Sequence, residues 1–208
     1  MDWSLLHPTH YLFFINGYGL SLIEITGTFF GLLSVWLGTR NHIGIWYTGF
    51  INVICFFVIF LSVGLYSDML LQVFYFVITI IGIANWKSKE EVSLSISYSD
   101  QTDWIRNVVL CGLIFLLFML FSTYAPLLLD FPEASFKTMD ALLSSASVVA
   151  TFMLAKRKIE AWLLWIVIDF VSVWMYVQKS VMLIAIEFAV FAVLAIVGYM
   201  QWRRMLKK

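Results

Sequence analysis

Seven apolar runs, at about 21–38, 45–63, 69–86, 107–124, 139–154, 161–178 and 180–200, take up most of this 208-residue chain. A helix needs roughly 17–25 apolar residues to cross a hydrocarbon core, so each run predicts one span. Composition agrees. The chain is 62% hydrophobic and 12% charged with a mean hydropathy of +0.92, whereas soluble domains lie near about half apolar and a quarter charged. The stretch YLFFINGYGL at 11–20 is too short to cross and is expected as a partial helix lying in the interface.

The connections set the direction. Arg40, Lys87, Lys89, Arg106, Lys156, Arg157, Lys158, Arg203, Arg204, Lys207 and Lys208 fall on one side, and only Lys137 and Lys179 on the other. Positive charge is retained in the cytoplasm, so the N-terminus is expected outside and the C-terminus inside. An even number of spans would destroy this partition.

A shift of 116 residues lays Glu24 on Asp140, Arg40 on Lys156, Trp46 on Trp162, Gly82 on Gly198, Trp86 on Trp202 and Lys87 on Arg203. The self-similarity predicts an internal repeat. The expected fold is an all-α integral membrane protein in a 3+1+3 arrangement, with two parallel three-helix repeats joined by a linker helix. Its parts are an extracytoplasmic segment at 1–20, a first repeat at 21–86, a cytoplasmic loop at 87–106, the linker span at 107–124, an extracytoplasmic loop at 125–138, a second repeat at 139–202 and a basic tail at 203–208. The linker, NVVLCGLIFLLFMLF, is apolar all round, as suits a helix facing mostly lipid. In transporters built from parallel repeats, the substrate site lies near the midplane between the halves.

Polar residues within the spans fall on single faces. Trp162, Trp165, Asp169, Ser172 and Tyr176 recur at i, i+3, i+7, i+10 and i+14, which places them within about 80° of one another on a helix. Gln72, Tyr75, Thr79, Gly82 and Trp86 repeat that spacing in the third span, and Glu24, Gly27, Gly31, Ser34 and Gly38 in the first. Asn52, then Asp140, Ser144, Ser147 and Thr151, and finally Glu187 add polar groups to spans two, five and seven. Each helix triplet can therefore turn a polar face inward.

Structural roles account for part of this pattern. Trp46, Trp86, Trp162 and Trp202 end their spans, where an aromatic belt is expected. The glycine ladder of span one suits close packing, and Gln72 and Asn52 suit interhelical hydrogen bonds. Asp169 and Glu187 are different, because a carboxylate at a helix centre costs at least ~2.5 kcal/mol. No Lys or Arg lies at similar depth to pair with them.

The lack of deep cations argues against a phosphate or nucleotide ligand, whose charge needs offsetting. Rings beside carboxylates suit a flat neutral or cationic molecule. His7, His10 and His42 lie outside the apolar runs, which argues against bis-histidine haem or buried zinc; no cofactor is expected. Cys55 and Cys111 sit within apolar runs as small hydrophobes, so no disulfide is expected. With zero net charge, no nucleic-acid partner is expected. No Lys or Arg precedes Arg40, so a signal-peptide n-region is not expected.

The segment W162-L-L-W165-I-V-I-D169 resembles the WxxWxxxN/D signature of the PnuC-type bacterial nicotinamide riboside transporters, and EITGTFFGLLSVWL and LYSDMLLQVFYF (65–76) are similar to that family as well. The resemblance covers the whole chain. It implies the 3+1+3 architecture of a full-length SWEET-like fold, the bacterial inner membrane, and facilitated diffusion of a dephosphorylated vitamin precursor. Cytoplasmic phosphorylation would trap the product, linking the transporter to a kinase without stable binding, and a homo-oligomer such as a trimer fits the pattern. The residues it implies as substrate-binding are Trp162, Trp165 and Asp169, followed by Gln72, Tyr75 and Asn52, with Glu187 added as the acid particular to this chain. GIANW at the end of span three and Glu187 in span seven depart from the family pattern, which leaves thiamine and riboflavin as alternative substrates and ion coupling as an alternative mechanism. A retinal protein is excluded by the lack of a lysine within span seven, and no HExxH, GxSxG or histidine cluster suggests an enzyme.

Overall fold

The computed structural model describes residues 11–15, 18–62, 66–87, 95–129, 136–178 and 182–207. It opens with a hairpin of β1 (Tyr11–Ile15) and β2 (Tyr18–Ser21) and continues as α1 (Leu22–Thr39), α2 (Gly44–Ser62), α3 (Tyr66–Lys87), α4 (Gln101–Leu129), α5 (Lys137–Ala155), α6 (Glu160–Gln178) and α7 (Met182–Leu206). All of these helices except α6 meet the length and hydropathy of a membrane span. The remaining one, α6, is 19 residues long and carries Asp169.

The interfacial helix expected at 11–20 is not formed. The strands pair antiparallel, from Tyr11 opposite Ser21 to Ile15 opposite Tyr18. Asn16-Gly17 stands between them in sequence, the dipeptide most suited to a two-residue hairpin connection. Ser21 ends β2 and caps α1, its hydroxyl accepting from the Glu24 N–H at 3.3 Å, which satisfies one of the orphan donors of the first turn.

Three other expected boundaries move. The cytoplasmic loop expected at 87–106 is helical from Gln101, because Asp100 Oδ1 accepts from the Asp103 N–H at 2.7 Å while Asp103 reaches back to the Asp100 N–H, an acidic form of the capping box. The basic tail expected at 203–208 is helical through Leu206. The loop expected at 125–138 is likewise entered by α4, which runs to Leu129.

The helix contacts run in a circuit. α1 packs on α2, α2 on α3, α3 on α5, α5 on α6, α6 on α7, and α7 returns to α1, while α4 lies against α5 with only slight contact to α3. Val108, Val109, Leu113, Leu116 and Leu120 of α4 are exposed, whereas Ile114 and Phe118 are buried. This broad outward apolar face is what a helix bordering lipid presents.

Positions 116 residues apart repeat in geometry. Asn41 and Arg157 take left-handed backbone angles, φ 53° and φ 54°. Around them both helix ends form the same closure: Asn41 N–H donates to Gly38 O at 2.9 Å and His42 N–H to Leu37 O at 3.1 Å, as Arg157 N–H does to Leu154 O and Lys158 N–H to Met153 O, both at 2.9 Å. This is a Schellman termination without its usual glycine. Arg40 stands 4.3 Å from the Trp36 ring centroid, and Lys156 4.4 Å from that of Phe152.

The stretch before α4 is stitched to the α5–α6 turn. Ser97 N–H donates to Arg157 O and Ile159 N–H to Ser97 O, both at 3.1 Å. Ser99 donates to the Glu160 carboxylate through N–H at 2.8 Å and hydroxyl at 3.1 Å. The Lys158 ammonium lies 2.7 Å from Asp103 and donates to Tyr98 O at 3.0 Å. Burial, and after it the positive charge of Arg106, hold the Lys156 ammonium below its ordinary value by penalising the charged form.

Candidate functional site

At the basic end of the helix circuit four tryptophans meet as two pairs. Trp46 stands edge-on to Trp86 and Trp162 edge-on to Trp202, each pair with ring centroids 5.6 Å apart at 83°. Glycine makes both pairs possible. A Cβ on Gly82 would stand 2.4 Å from the Trp46 ring, and one on Gly198 2.6 Å from Trp162. Trp86 Nε1 donates to Ala155 O at 3.1 Å, joining α3 to α5, and Trp202 Nε1 donates to Gly38 O at 2.9 Å, joining α7 to α1. Both acceptors lie in the last turns of their helices, where carbonyls lack intrahelical donors. The buried indole N–H groups of Trp46 and Trp162 have no partner.

Trp162 was expected along a substrate site. It is 1% exposed, wedged between Gly198, Trp202 and the Gly38 backbone, and so belongs to this seam. Trp165, one turn deeper, is half-buried against the core.

Two turns below Trp162, Asp169 is 2% exposed and its Oδ1 has no hydrogen-bond partner. Its carboxyl lies near enough to Tyr75 of α3 for its charge to act on that hydroxyl, beside which Ser147 and Thr151 of α5 also stand. The structure thus brings α3, α5 and α6 together on one polar surface. Gln72, one turn from Tyr75, is also buried with an unpartnered Oε1. It borders an apolar crevice with Val53, Ile54, Phe57, Val73 and Phe76, of which Ile54, Val73 and Phe76 are exposed on the outer face.

The other two candidates stand apart. Asn52 donates its side-chain N–H to Gly27 O of α1 at 2.9 Å and lies so close to α1 that a Cβ on Gly31 would meet it at 2.7 Å. It is an interhelical clamp. Glu187 is half-buried on α7, near enough to Glu24 of α1 for the two carboxylates to act on one another. Ser147 and Thr151 were legible as a polar face but not as neighbours of Tyr75. The seam tryptophans were legible as span-end residues related by the 116-residue offset, but the aromatic belt expected of them is instead a set of buried rings.

The match to known proteins follows this architecture. The family model described as nicotinamide mononucleotide transporter matches residues 21–204. The nicotinamide riboside transporter PnuC of Escherichia coli (strain K12) is 30% identical, the alignment covering 90% of this chain and 87% of that protein, and its namesake from Shigella flexneri gives the same figures. The crystal structure of the vitamin B3 transporter PnuC superposes with a TM-score of 0.67 at 18% identity, over 89% of this chain and 82% of that one. By the extent of the family match and the coverage of these relatives, the chain belongs to the nicotinamide mononucleotide transporter family.

Proposed function

We propose that this protein carries nicotinamide riboside across the bacterial inner membrane by facilitated diffusion, with its N-terminus outside and the basic end of the helix circuit in the cytoplasm. In this reading α1–α3 and α5–α7 are the two parallel halves, α4 is the linker, and the substrate lies between the halves on the surface of Tyr75 and Asp169. The observation that carries it is the buried Asp169, which keeps an oxygen without a partner in a chain of this family. Such a group is expensive to bury unless something else completes it.

The riboside is favoured over the mononucleotide named by the family model. Among the described residues every Lys and Arg stands beyond a helix end or within two turns of one, leaving nothing at mid-span depth to offset a phosphate. The pyridinium ring of the riboside instead brings the positive charge that Asp169 lacks. Trp165 supplies a face for stacking.

The mechanism is alternating access. The two inter-half hydrogen bonds, from Trp86 to Ala155 and from Trp202 to Gly38, hold the cytoplasmic end shut. Opening separates α3 from α5 and α7 from α1 about the central surface. Released substrate is phosphorylated, which maintains the inward gradient.

Titration of the purified protein followed by tryptophan fluorescence tests the assignment. Quenching by nicotinamide riboside and not by nicotinamide mononucleotide is expected. A second reading rests on Glu187 and Glu24, whose paired acids favour another flat cation such as thiamine. Preference for thiamine would overturn the riboside and retain the architecture; saturable binding of the mononucleotide would overturn the argument from charge.

A further inference from the structure

Three cations converge where α4 meets the α5–α6 turn. Arg106 of α4 and Lys158 of the turn both pair with Asp103. Arg106 also stands 5.8 Å from the centroid of the Phe152 ring, and Lys156 lies 4.4 Å from that of the same ring. Among the described residues Asp103 is the carboxylate that pairs with this group. Asp100 accepts from the Asp103 N–H and Glu160 from Ser99, and Lys156 has no carboxylate within ion-pair distance. Arg106 Nε, shielded from solvent, has no acceptor, and the adjoining Asn107, 3% exposed, leaves its amide N–H unpartnered. Sidedness alone does not account for this charge. The α1–α2 turn carries Arg40, Asn41 and His42 at the positions 116 residues earlier, one fixed charge where the turn beside α4 has three.

The surface beneath the cluster is apolar. Val109, Leu113 and Leu116 follow Arg106 at i+3, i+7 and i+10, and each is more than half exposed. Trp104, two residues before Arg106, is 49% exposed, and an outward tryptophan at the end of a span sits at headgroup level. We propose that Arg106 and Lys156 hold the phosphate of an anionic phospholipid from the leaflet on the basic side, its acyl chain lying along Val109, Leu113 and Leu116. Basic pockets between helices on this side of a membrane take such headgroups. A phosphodiester supplies the acceptor oxygens that a guanidinium and an ammonium call for, and the apolar ridge below favours a lipid over a free phosphate. The occupant bridges the linker helix to α5, whatever substrate the protein carries.

The test measures binding of radiolabelled phosphatidylglycerol and phosphatidylcholine, with the same acyl chains, to the immobilised full-length protein in a neutral detergent. Wild-type protein is expected to prefer phosphatidylglycerol by at least about 10-fold, since each basic residue near a membrane surface contributes about fivefold. The double variant Arg106→Gln, Lys156→Gln should reduce the preference to about twofold or less. Lys156→Gln alone breaks no ion pair, serves if the double variant does not fold, and should lower the preference at least about threefold. The variant Arg40→Gln, Arg203→Gln removes the same charge from the same side and should keep the wild-type preference. Equal binding of the two lipids by the wild type overturns the proposal, as does retention of the preference by Lys156→Gln. An equal loss in the Arg40→Gln, Arg203→Gln protein would mark general surface attraction and overturn it too. Displacement of the lipid by inorganic phosphate, and not by chloride at equal ionic strength, would assign the cluster to a soluble anion instead. A change of oligomeric state in the double variant, read by size-exclusion chromatography, with lipid binding unaltered would assign the face to a second copy of the chain.

Discussion

The indole of Trp202 donates to the carbonyl of Gly38 at 2.9 Å, across 164 residues of chain. Trp86 does the same to Ala155, from α3 to the end of α5. The two bonds thus join α7 to the end of α1 and α3 to the end of α5, and neither lies within the triplet α1–α3 or the triplet α5–α7. This reciprocity makes the seam a property of the assembled pair.

The seam bonds should bias the transport cycle. Trp86→Phe or Trp202→Phe removes one donor while keeping an aromatic ring, a loss of about 1 kcal/mol of closure and roughly a fivefold shift toward the cytoplasm-open form. The double variant should shift it about 25-fold if the bonds act independently. Spin labels at the basic ends of α1 and α5 would report the shift as a growing long-distance population.

Gly82→Ala and Gly198→Ala should each lower stability by at least about 2 kcal/mol, because the added methyl meets the rigid faces of Trp46 and Trp162 rather than a flexible side chain. Gly112→Ala on α4, with nothing within 4 Å of its Cβ, should leave the melting temperature unchanged or slightly raised. Thermal melts in one detergent suffice for the comparison.

Trp162 and Trp165 should separate. Trp165→Ala is expected to weaken nicotinamide riboside binding by about 10-fold with the melting temperature little changed, as loss of a stacking face costs about 1–1.5 kcal/mol. Trp162→Ala removes a fully buried ring from the seam and should destabilise the protein by about 3–5 kcal/mol. A stable Trp162→Ala protein that has lost only affinity would return Trp162 to the substrate site.

Asn52→Ala should act on stability and leave substrate affinity at the wild-type value. Its hydrogen bond to Gly27 O joins α1 and α2, and bonds of this kind within membranes contribute about 0.6–2 kcal/mol. A large loss of riboside affinity without loss of stability would place Asn52 on the ligand instead.

The apolar runs made seven helices legible because hydrocarbon thickness sets their length regardless of their neighbours. Ends were less legible, since they depend on local bonds. The Asp100–Asp103 cap starts α4 ahead of its apolar run, and the pairing across Asn16-Gly17 was hidden by the general apolarity of 11–20. Site depth was harder still. Helical spacing put Trp162, Trp165 and Asp169 on one face, yet it carries no information on which partner meets each turn. Gly198 and Trp202, more than thirty residues away in sequence, claim Trp162 for the seam. For Asn52 the sequence likewise showed a polar group at mid-span, but not the bond to Gly27 O or the close approach of Gly31.

Asn41 and Arg157 hold the same unusual backbone angle with unrelated side chains. Asparagine tolerates that conformation, whereas arginine bears a steric penalty there, and the Arg157 guanidinium stacks 4.3 Å from the Trp86 ring. The matching closure at positions 116 residues apart therefore does not depend on the residue that occupies it. The same turn forms over asparagine and over arginine, and in the second case the side chain reaches across to a tryptophan of another helix.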